Sequence, residues 1–466
     1  MMLNTGWRKL KQRWYGETGY GEVLKVAFPL ILSTGSWSLQ HFIDRMFLTW
    51  YSPEAIAASM PAGMVNWTLT SLFVGTASYV NTFVAQYYGA HRYDRIGPSV
   101  WQGIYLSVFV IVFALIAWPF VDIFFQWIAH DPAVQKLEID YFRILLVGAP
   151  FVVVSNAVTS FFTGRGKTLT IMWVNILATG LNIVFDYLFI FGKMGLPEMG
   201  IQGAGWATVL SVVVTAATLF FLMVRANYNR LFHTLRGWRF DFPLFRRLIR
   251  YGLPNGLQFM LEMIAFTIFI LLIGKIGVVE LAASNIAFNI NSLAFLPMYG
   301  MSIAISSLVG QRLGENQPDK AEKTTWTSFH MTFLYFGFLA LAYFFLPKIF
   351  IFPFSWQAEA EIFGSIESIT VILLRFVAFY SLFDALNMVF SAAIKGAGDT
   401  RFVAVVTIGL SWIVMLLPSY IVLKVFHGGI FWLWCFVTLY VVSLGIVFLI
   451  RFLKGPWREM RVIESQ

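Results

Sequence analysis

The sequence predicts an all-α polytopic membrane protein, with twelve transmembrane helices in two parallel six-helix repeats around a central cavity. Three observations carry that reading. The 466 residues are 58% hydrophobic and only 12% charged, with a mean hydropathy of +0.72, whereas a soluble globular domain carries about 25% charged residues. Twelve apolar segments each reach the ~20 residues needed to cross the hydrocarbon core. A spacing of 225 residues recurs down the chain.

That spacing pairs Pro29 with Pro254, Ala57-Ala58-Ser59 with Ala282-Ala283-Ser284, and Asn66 with Asn291. It also pairs Val84-x-Gln86-x-x-Gly89, Asp94 and Trp101 with Val309-x-Gln311-x-x-Gly314, Asp319 and Trp326. A register that holds Pro, Asn, Gln, Asp and Trp together marks an internal duplication. Hydropathy places the first six spans near 23–50, 55–87, 98–128, 138–164, 168–192 and 200–226. The second six fall near 247–274, 279–312, 325–352, 366–395, 400–424 and 429–453. The expected organisation is a basic segment at 1–22, an N-lobe at 23–226, a linker at 227–246, a C-lobe at 247–453 and a tail at 454–466. Each repeat has an even number of spans, so the two share one topology and are related by an axis along the membrane normal.

Charge sets the orientation. With both termini on the cytoplasmic side, 25 of the 33 Lys and Arg residues fall in cytoplasmic segments. The opposite face receives Lys136, Lys193, Lys275, Lys348 and Lys424. Cationic loops face the cytoplasm, so both termini are expected inside a bacterial inner membrane. The formal charge of +9 has the same origin, and no basic soluble module suggests nucleic acid. The first 20 residues are polar and precede no cleavage site, so the first apolar stretch is expected to remain a span. Trp7, Leu10 and Trp14 at helical spacing among Arg8, Lys9, Lys11 and Arg13 suit either a helix on the anionic inner leaflet or a disordered basic tail.

Polar residues within the spans carry the chemistry. An ionisable group there costs roughly 2.5–3.5 kcal/mol on insertion scales, so it faces the bundle interior. In span 1, Ser33, Ser36, Gln40 and Asp44 recur at steps of three and four and form one stripe. In span 5, Asn182 and Asp186 share a face at i,i+4. Asp44 lies 18 residues past Val26 and Asp186 lies 18 past Thr168, so the two reach one depth and can meet. Two like carboxylates in a low-dielectric pocket cannot both ionise cheaply, so one takes a proton or a cation enters between them. Span 7 carries Asn255, Gln258 and Glu262 on one stripe, and span 10 carries Tyr380, Asp384, Asn387 and Ser391. Glu262 is 11 residues from Tyr251 and Asp384 is 11 from Lys395, which gives a second depth-matched pair. A lone Asn or Ser in a span reads instead as an interhelical hydrogen bond.

Other features read more blandly. Arg45 follows Asp44 but points about 100° away on a helix, and it snorkels or finds another partner. His41, at i−3 from Asp44, is a relay or a packed histidine. Arg143 and Arg375 are available as partners for carboxylates without an assignment. Gly164-Arg165-Gly166-Lys167-Thr168 lacks the first glycine of a phosphate-binding loop and reads, like Gly396-Ala397-Gly398-Asp399-Thr400, as a tight inner-face turn. The single Cys435 forms no intrachain disulfide. No catalytic constellation or cofactor motif is present, so neither an enzyme nor a cofactor is expected.

Together these residues resemble the multidrug and toxic compound extrusion (MATE) family along essentially the whole chain. The carriers are Phe-Ile-Asp44, the two Gln-x-x-Gly exits, Asn182-Ile-Val-Phe-Asp186, Leu-Glu262, Phe-Asp384-Ala and Gly-Ala-Gly-Asp399-Thr. The resemblance implies an antiporter that exports amphipathic or cationic organic compounds in exchange for H⁺ or Na⁺. It implies an N-lobe cation site, for H⁺ or Na⁺, at Asp44, Asn182, Asp186 and Thr208, with Tyr141 beside it. It implies a C-lobe acidic set at Glu262, Tyr380 and Asp384. Small organic molecules and the bilayer are the expected partners, and a monomer the expected state. The alternatives are a lipid-linked oligosaccharide flippase of the same superfamily and a major facilitator-type transporter. The flippase calls for more intramembrane cations than Arg45, Arg143 and Arg375, and the loop after span 2 departs from the facilitator pattern.

Overall fold

Hydrocarbon leaves no partner for an open backbone amide, so apolar spans fold as helices that satisfy their own hydrogen bonds. The computed structural model describes residues 13–128, 130–355 and 360–464. Trp7 and Leu10 of the expected N-terminal amphipathic helix lie outside them. The first half contains α1 (Tyr20–Tyr51), α2 (Pro53–Ser78), α3 (Val80–Gly89), α4 (Ile96–Ala117), α5 (Val121–Ile128), α6 (Pro132–Thr163), α7 (Thr168–Ile190) and α8 (Ile201–Met223). The linker forms α9 (Ala226–Phe232). The second half contains α10 (Phe242–Gly274), α11 (Val278–Gly314), α12 (Pro318–Phe345), α13 (Pro347–Ser355), α14 (Ala360–Ala397), α15 (Thr400–Leu410), α16 (Leu417–Val425) and α17 (Ile430–Lys454). Local sequence sets several starts. Ser52 accepts from the Ala55 amide at 3.0 Å ahead of Pro53, and Asp131 accepts from Ala133 at 2.9 Å ahead of Pro132.

Among the described residues, 10 helices are long and apolar enough to cross a membrane. The other two of the twelve expected spans are helical as well, α1 and the α2–α3 pair. Span 1 falls short in apolar character because it carries Ser33, Ser36, Gln40, His41, Asp44 and Arg45. The twelve-helix reading therefore stands, and the glycine turns stand with it: Gly166 and Gly398 take φ of 70° and 117°.

The chain divides into two compact units that do not follow the repeat boundary. The carboxyl-half unit combines Leu261–Arg461 with the described part of Met1–Ile31. The amino-half unit combines Leu32–Met260 with the described part of Val462–Gln466. Each unit thus takes the first part of a long helix from the other half. Close backbone contact explains the exchange. In the amino-half unit, a Cβ on Gly256 would sit 2.1 Å from the Leu72 carbonyl oxygen, and one on Gly75 would sit 2.8 Å from the Gly256 Cα. Gly300, which corresponds to Gly75 in the repeat, would place a Cβ 2.8 Å from the Ile31 nitrogen in the carboxyl-half unit. Small residues let helix backbones meet at this range. Pro29 and Pro254 lie inside α1 and α10 just before the exchange points, where each leaves one helical hydrogen bond open. Gly256→Ala is expected to destabilise by about 1–3 kcal/mol through overpacking. The check is the apparent melting temperature in detergent, with Gly180→Ala, at an uncrowded position, as the control that stays unchanged.

The repeated Gln-x-x-Gly exits seat the chain ends. In the amino-half unit, Gln86 accepts from the Val462 amide at 2.8 Å and Tyr87 donates to Glu464 at 2.7 Å. Glu464 also pairs with Arg92 at 3.1 Å, with Arg95 at 3.3 Å and with Arg247. In the carboxyl-half unit, Arg312, beside Gln311, pairs with Glu22 at 2.6 Å, and Thr327 donates to the Thr18 carbonyl at 2.9 Å. Burial raises the Glu464 pKa, but hydrogen bonds from Arg247 and Tyr87 outweigh it and bring it from 4.5 down to about 2. A carboxylate with a lowered folded-state pKa adds stability above its unfolded pKa, and that stability is lost as pH falls through the folded value. Glu464→Gln should therefore lower the melting temperature at neutral pH. The gap between wild type and variant should close as the pH falls from 4.5 towards 2.

Candidate functional site

Two acidic clusters lie at span depth, one in each unit. The first is built where α1 and α7 run side by side. The α7 face repeats Asn175, Thr179, Asn182 and Asp186 at helical steps and meets the α1 stripe level by level. Asn175 donates to the Ser33 hydroxyl, and Thr179 donates to the Ser36 carbonyl at 3.4 Å. With the Asn182 amide nitrogen turned to the carboxylates, it donates to Asp44 Oδ1 at 2.9 Å and to Asp186 Oδ2 at 3.2 Å. The reverse orientation would set its oxygen against theirs. Asn182 and Asp186 are fully buried and Asp44 is 8% exposed. The two carboxyl groups thus converge on one donor, with Asp44 Oδ1 and Asp186 Oδ2 both within 3.2 Å of its nitrogen. Two carboxylates this close in a low-dielectric span do not both ionise cheaply, so the pair suits a shared proton or an entering cation.

The other expected members of the first cluster divide. Tyr141 on α6 lies in the field of both carboxylates, and its ring packs where a Cβ on Gly205 of α8 would sit, at 3.3 Å. Gln40 is buried one turn from Asp44. His41 Nδ1 stands 4.0 Å from Asp44 Oδ2 with its side chain half exposed. Thr208 accepts on its carbonyl from the Ser211 hydroxyl at 2.8 Å, a contact within α8 that does not join it to the acidic pair. Arg143, left unassigned in the sequence, pairs with Asp122 at 2.6 Å instead of with either carboxylate. The unused Oδ1 of Asp186 is buried without a hydrogen-bond partner. A buried acceptor left open in this way suits a group that gains and loses a proton or cation.

The second cluster, in the carboxyl-half unit, joins α10, α11, α14 and α17. Tyr440 on α17 donates to Glu262 at 3.0 Å. Asp384 is 5% exposed, hydrogen-bonds with Asn387 and feels the charge of Glu262. Asn291 on α11 donates to the Tyr380 hydroxyl at 3.3 Å, and Tyr380 stands in the field of Asp384. Lys395 in the last turn of α14 also lies in the field of Glu262. The field of Glu262 thus reaches both a cation and a second carboxylate. Gln258, one turn before Glu262 on α10, falls on the amino-half side of the unit boundary and has a buried Oε1 without a hydrogen-bond partner. Its stripe neighbour Asn255 donates to the Gly75 carbonyl at 2.7 Å, which ties α10 to α2. Ser391 bonds within its own helix.

Sequence reasoning missed Asn175, Thr179 and Tyr440, and it took Lys395 for a loop cation. The 175, 179, 182, 186 spacing was a legible signal. Tyr440 had none, because a tyrosine in a span commonly marks an interface.

Two helical repeats, each unit with its own acidic cluster at span depth, define a polytopic α-helical membrane transporter. The MatE family profile matches residues 29–188 and 254–421, one copy per repeat, and the chain belongs to that family. It is 23% identical over 446 residues to a probable multidrug resistance protein NorM of Thermotoga maritima, covering 96% of this chain and 94% of that one. Among solved structures it resembles an outward-facing multidrug resistance MATE family transporter of the MOP superfamily, with a TM-score of 0.84, 22% identity and 97% of each chain covered. It also resembles a MOP superfamily transporter from Pyrococcus furiosus described as having a binding pocket of reversed polarity, with a TM-score of 0.80, 22% identity and 97% of each chain covered.

Proposed function

We propose that the protein is a secondary antiporter that exports amphipathic or cationic organic compounds in exchange for a proton, with both termini in the cytoplasm. The observation that carries this is the convergence of Asp44 and Asp186 on the single Asn182 amide. That arrangement favours H⁺ over Na⁺ at this pair. In that orientation Asn182 offers the pair a donor and not its carbonyl oxygen. A hard cation such as Na⁺ needs several converging oxygens. In the state that holds the proton the pair is closer to neutral. In the state that has released it, the pair attracts an organic cation. Exchange follows only if the two ligands prefer different states of the protein.

The test uses purified protein in sealed vesicles loaded with a fluorescent lipophilic cation. An imposed pH gradient should drive its movement, and an imposed Na⁺ gradient at constant pH should not. Movement driven by Na⁺ alone would transfer the coupling role to that ion. Movement driven by neither gradient would remove the antiport reading.

A further inference from the structure

An open groove of about 530 Å³ runs along the outside of the carboxyl-half unit, where α14 packs on α17. Phe376, Phe379, Leu439 and Val442 line it, together with Arg375 and the chain's single Cys435. Arg375 is exposed, and its guanidinium lies 5.6 Å from the Phe344 ring. Among the described residues no carboxylate lies within ion-pair distance of it. Glu367, two turns away on the same helix, is engaged by Lys348 at 3.0 Å. At 1.5 Å per residue, Arg375 stands about 30 Å along α14 from Lys395, and Cys435 stands about as far along α17 from Lys454. Both therefore lie at one boundary of the hydrocarbon layer, and the apolar lining descends from there towards its middle.

An exposed cation at a headgroup boundary, above an apolar channel, has the form of a phospholipid seat. We infer that this groove binds an anionic phospholipid, its phosphate on Arg375 and one acyl chain along Phe376, Phe379, Leu439 and Val442. Guanidinium engages phosphate through paired hydrogen bonds, and the aromatic face of Phe344 holds it without neutralising it. The groove lining carries this cation and, among the described residues, no carboxylate, so a net negative lipid is preferred over a zwitterionic one. The lipid belongs to the outer leaflet on the orientation proposed above, while the groove itself does not depend on that orientation.

Cys435 reports occupancy directly. Delipidated protein in a neutral detergent is labelled with a small maleimide after addition of phosphatidylglycerol, phosphatidylcholine of equal chain length, or inorganic phosphate. Phosphatidylglycerol should slow labelling about fivefold more than phosphatidylcholine, the factor one cationic side chain contributes at an anionic lipid surface. Arg375→Gln should remove that difference and Arg375→Lys should keep it. Native mass spectra should show phosphatidylglycerol adducts on wild type that Arg375→Gln loses. Equal protection by both lipids, protection by inorganic phosphate alone, or a preference that survives in Arg375→Gln would each overturn the assignment.

Discussion

Asp44→Asn and Asp186→Asn are each expected to abolish ion-driven transport while leaving the protein folded. Asparagine keeps the size of the aspartate and a hydrogen-bonding oxygen for Asn182, so monodisperse elution and the melting temperature should change little. The titrating oxygen pair is lost. An ion gradient can drive substrate only through the coupling free energy between the two binding events, typically about 1–3 kcal/mol or 5–150-fold. Without a proton to exchange, the accumulation ratio should fall to unity, and passive equilibration of the cation should persist. Accumulation that survives in both variants would assign coupling to the second cluster. Asn182→Leu should weaken transport by a different route, since it leaves two buried carboxyl groups without their shared donor.

Glu262→Gln carries the second large effect, on stability as well as transport. It weakens the acceptor for the Tyr440 hydroxyl and removes a charge whose field reaches Lys395. A hydrogen bond to a charged group is worth about 1.5–3 kcal/mol, and Lys395 loses a favourable field as well. The double variant Glu262→Gln/Lys395→Met should therefore be more stable than the sum of its single variants implies. A coupling of about 0.5–3 kcal/mol is the range for groups in contact. It is read from melting temperatures of all four proteins in one detergent. Strict additivity would show that Lys395 serves the helix end and not Glu262.

Much of this was legible in the sequence, for physical reasons that differ by feature. The helices were legible because hydrocarbon permits little else, and the duplication because Pro, Asn, Gln and Trp held one spacing. Asp44, Asp186, Glu262 and Asp384 stood out because a carboxylate in a span is costly and therefore rare. The pairing of Asp44 with Asp186 followed from counting depth along two helices. The exchange of helix segments between the units was not legible. It rests on Gly75 meeting Gly256 and Gly300 meeting Ile31, and glycines in apolar helices are too common to announce a contact. Lys395 was read as a loop cation because its position in the last turn of α14 fits that role equally well.

The central claim is that the Asp44–Asp186 pair holds a proton that an organic cation displaces. Proton release on binding tests it most directly. A lipophilic cation is added to unbuffered, detergent-solubilised protein and the acidification of the solution is followed. The account predicts release that saturates with cation concentration and disappears in Asp44→Asn. Saturable cation binding without proton release, or release that is unchanged in Asp44→Asn, would contradict it.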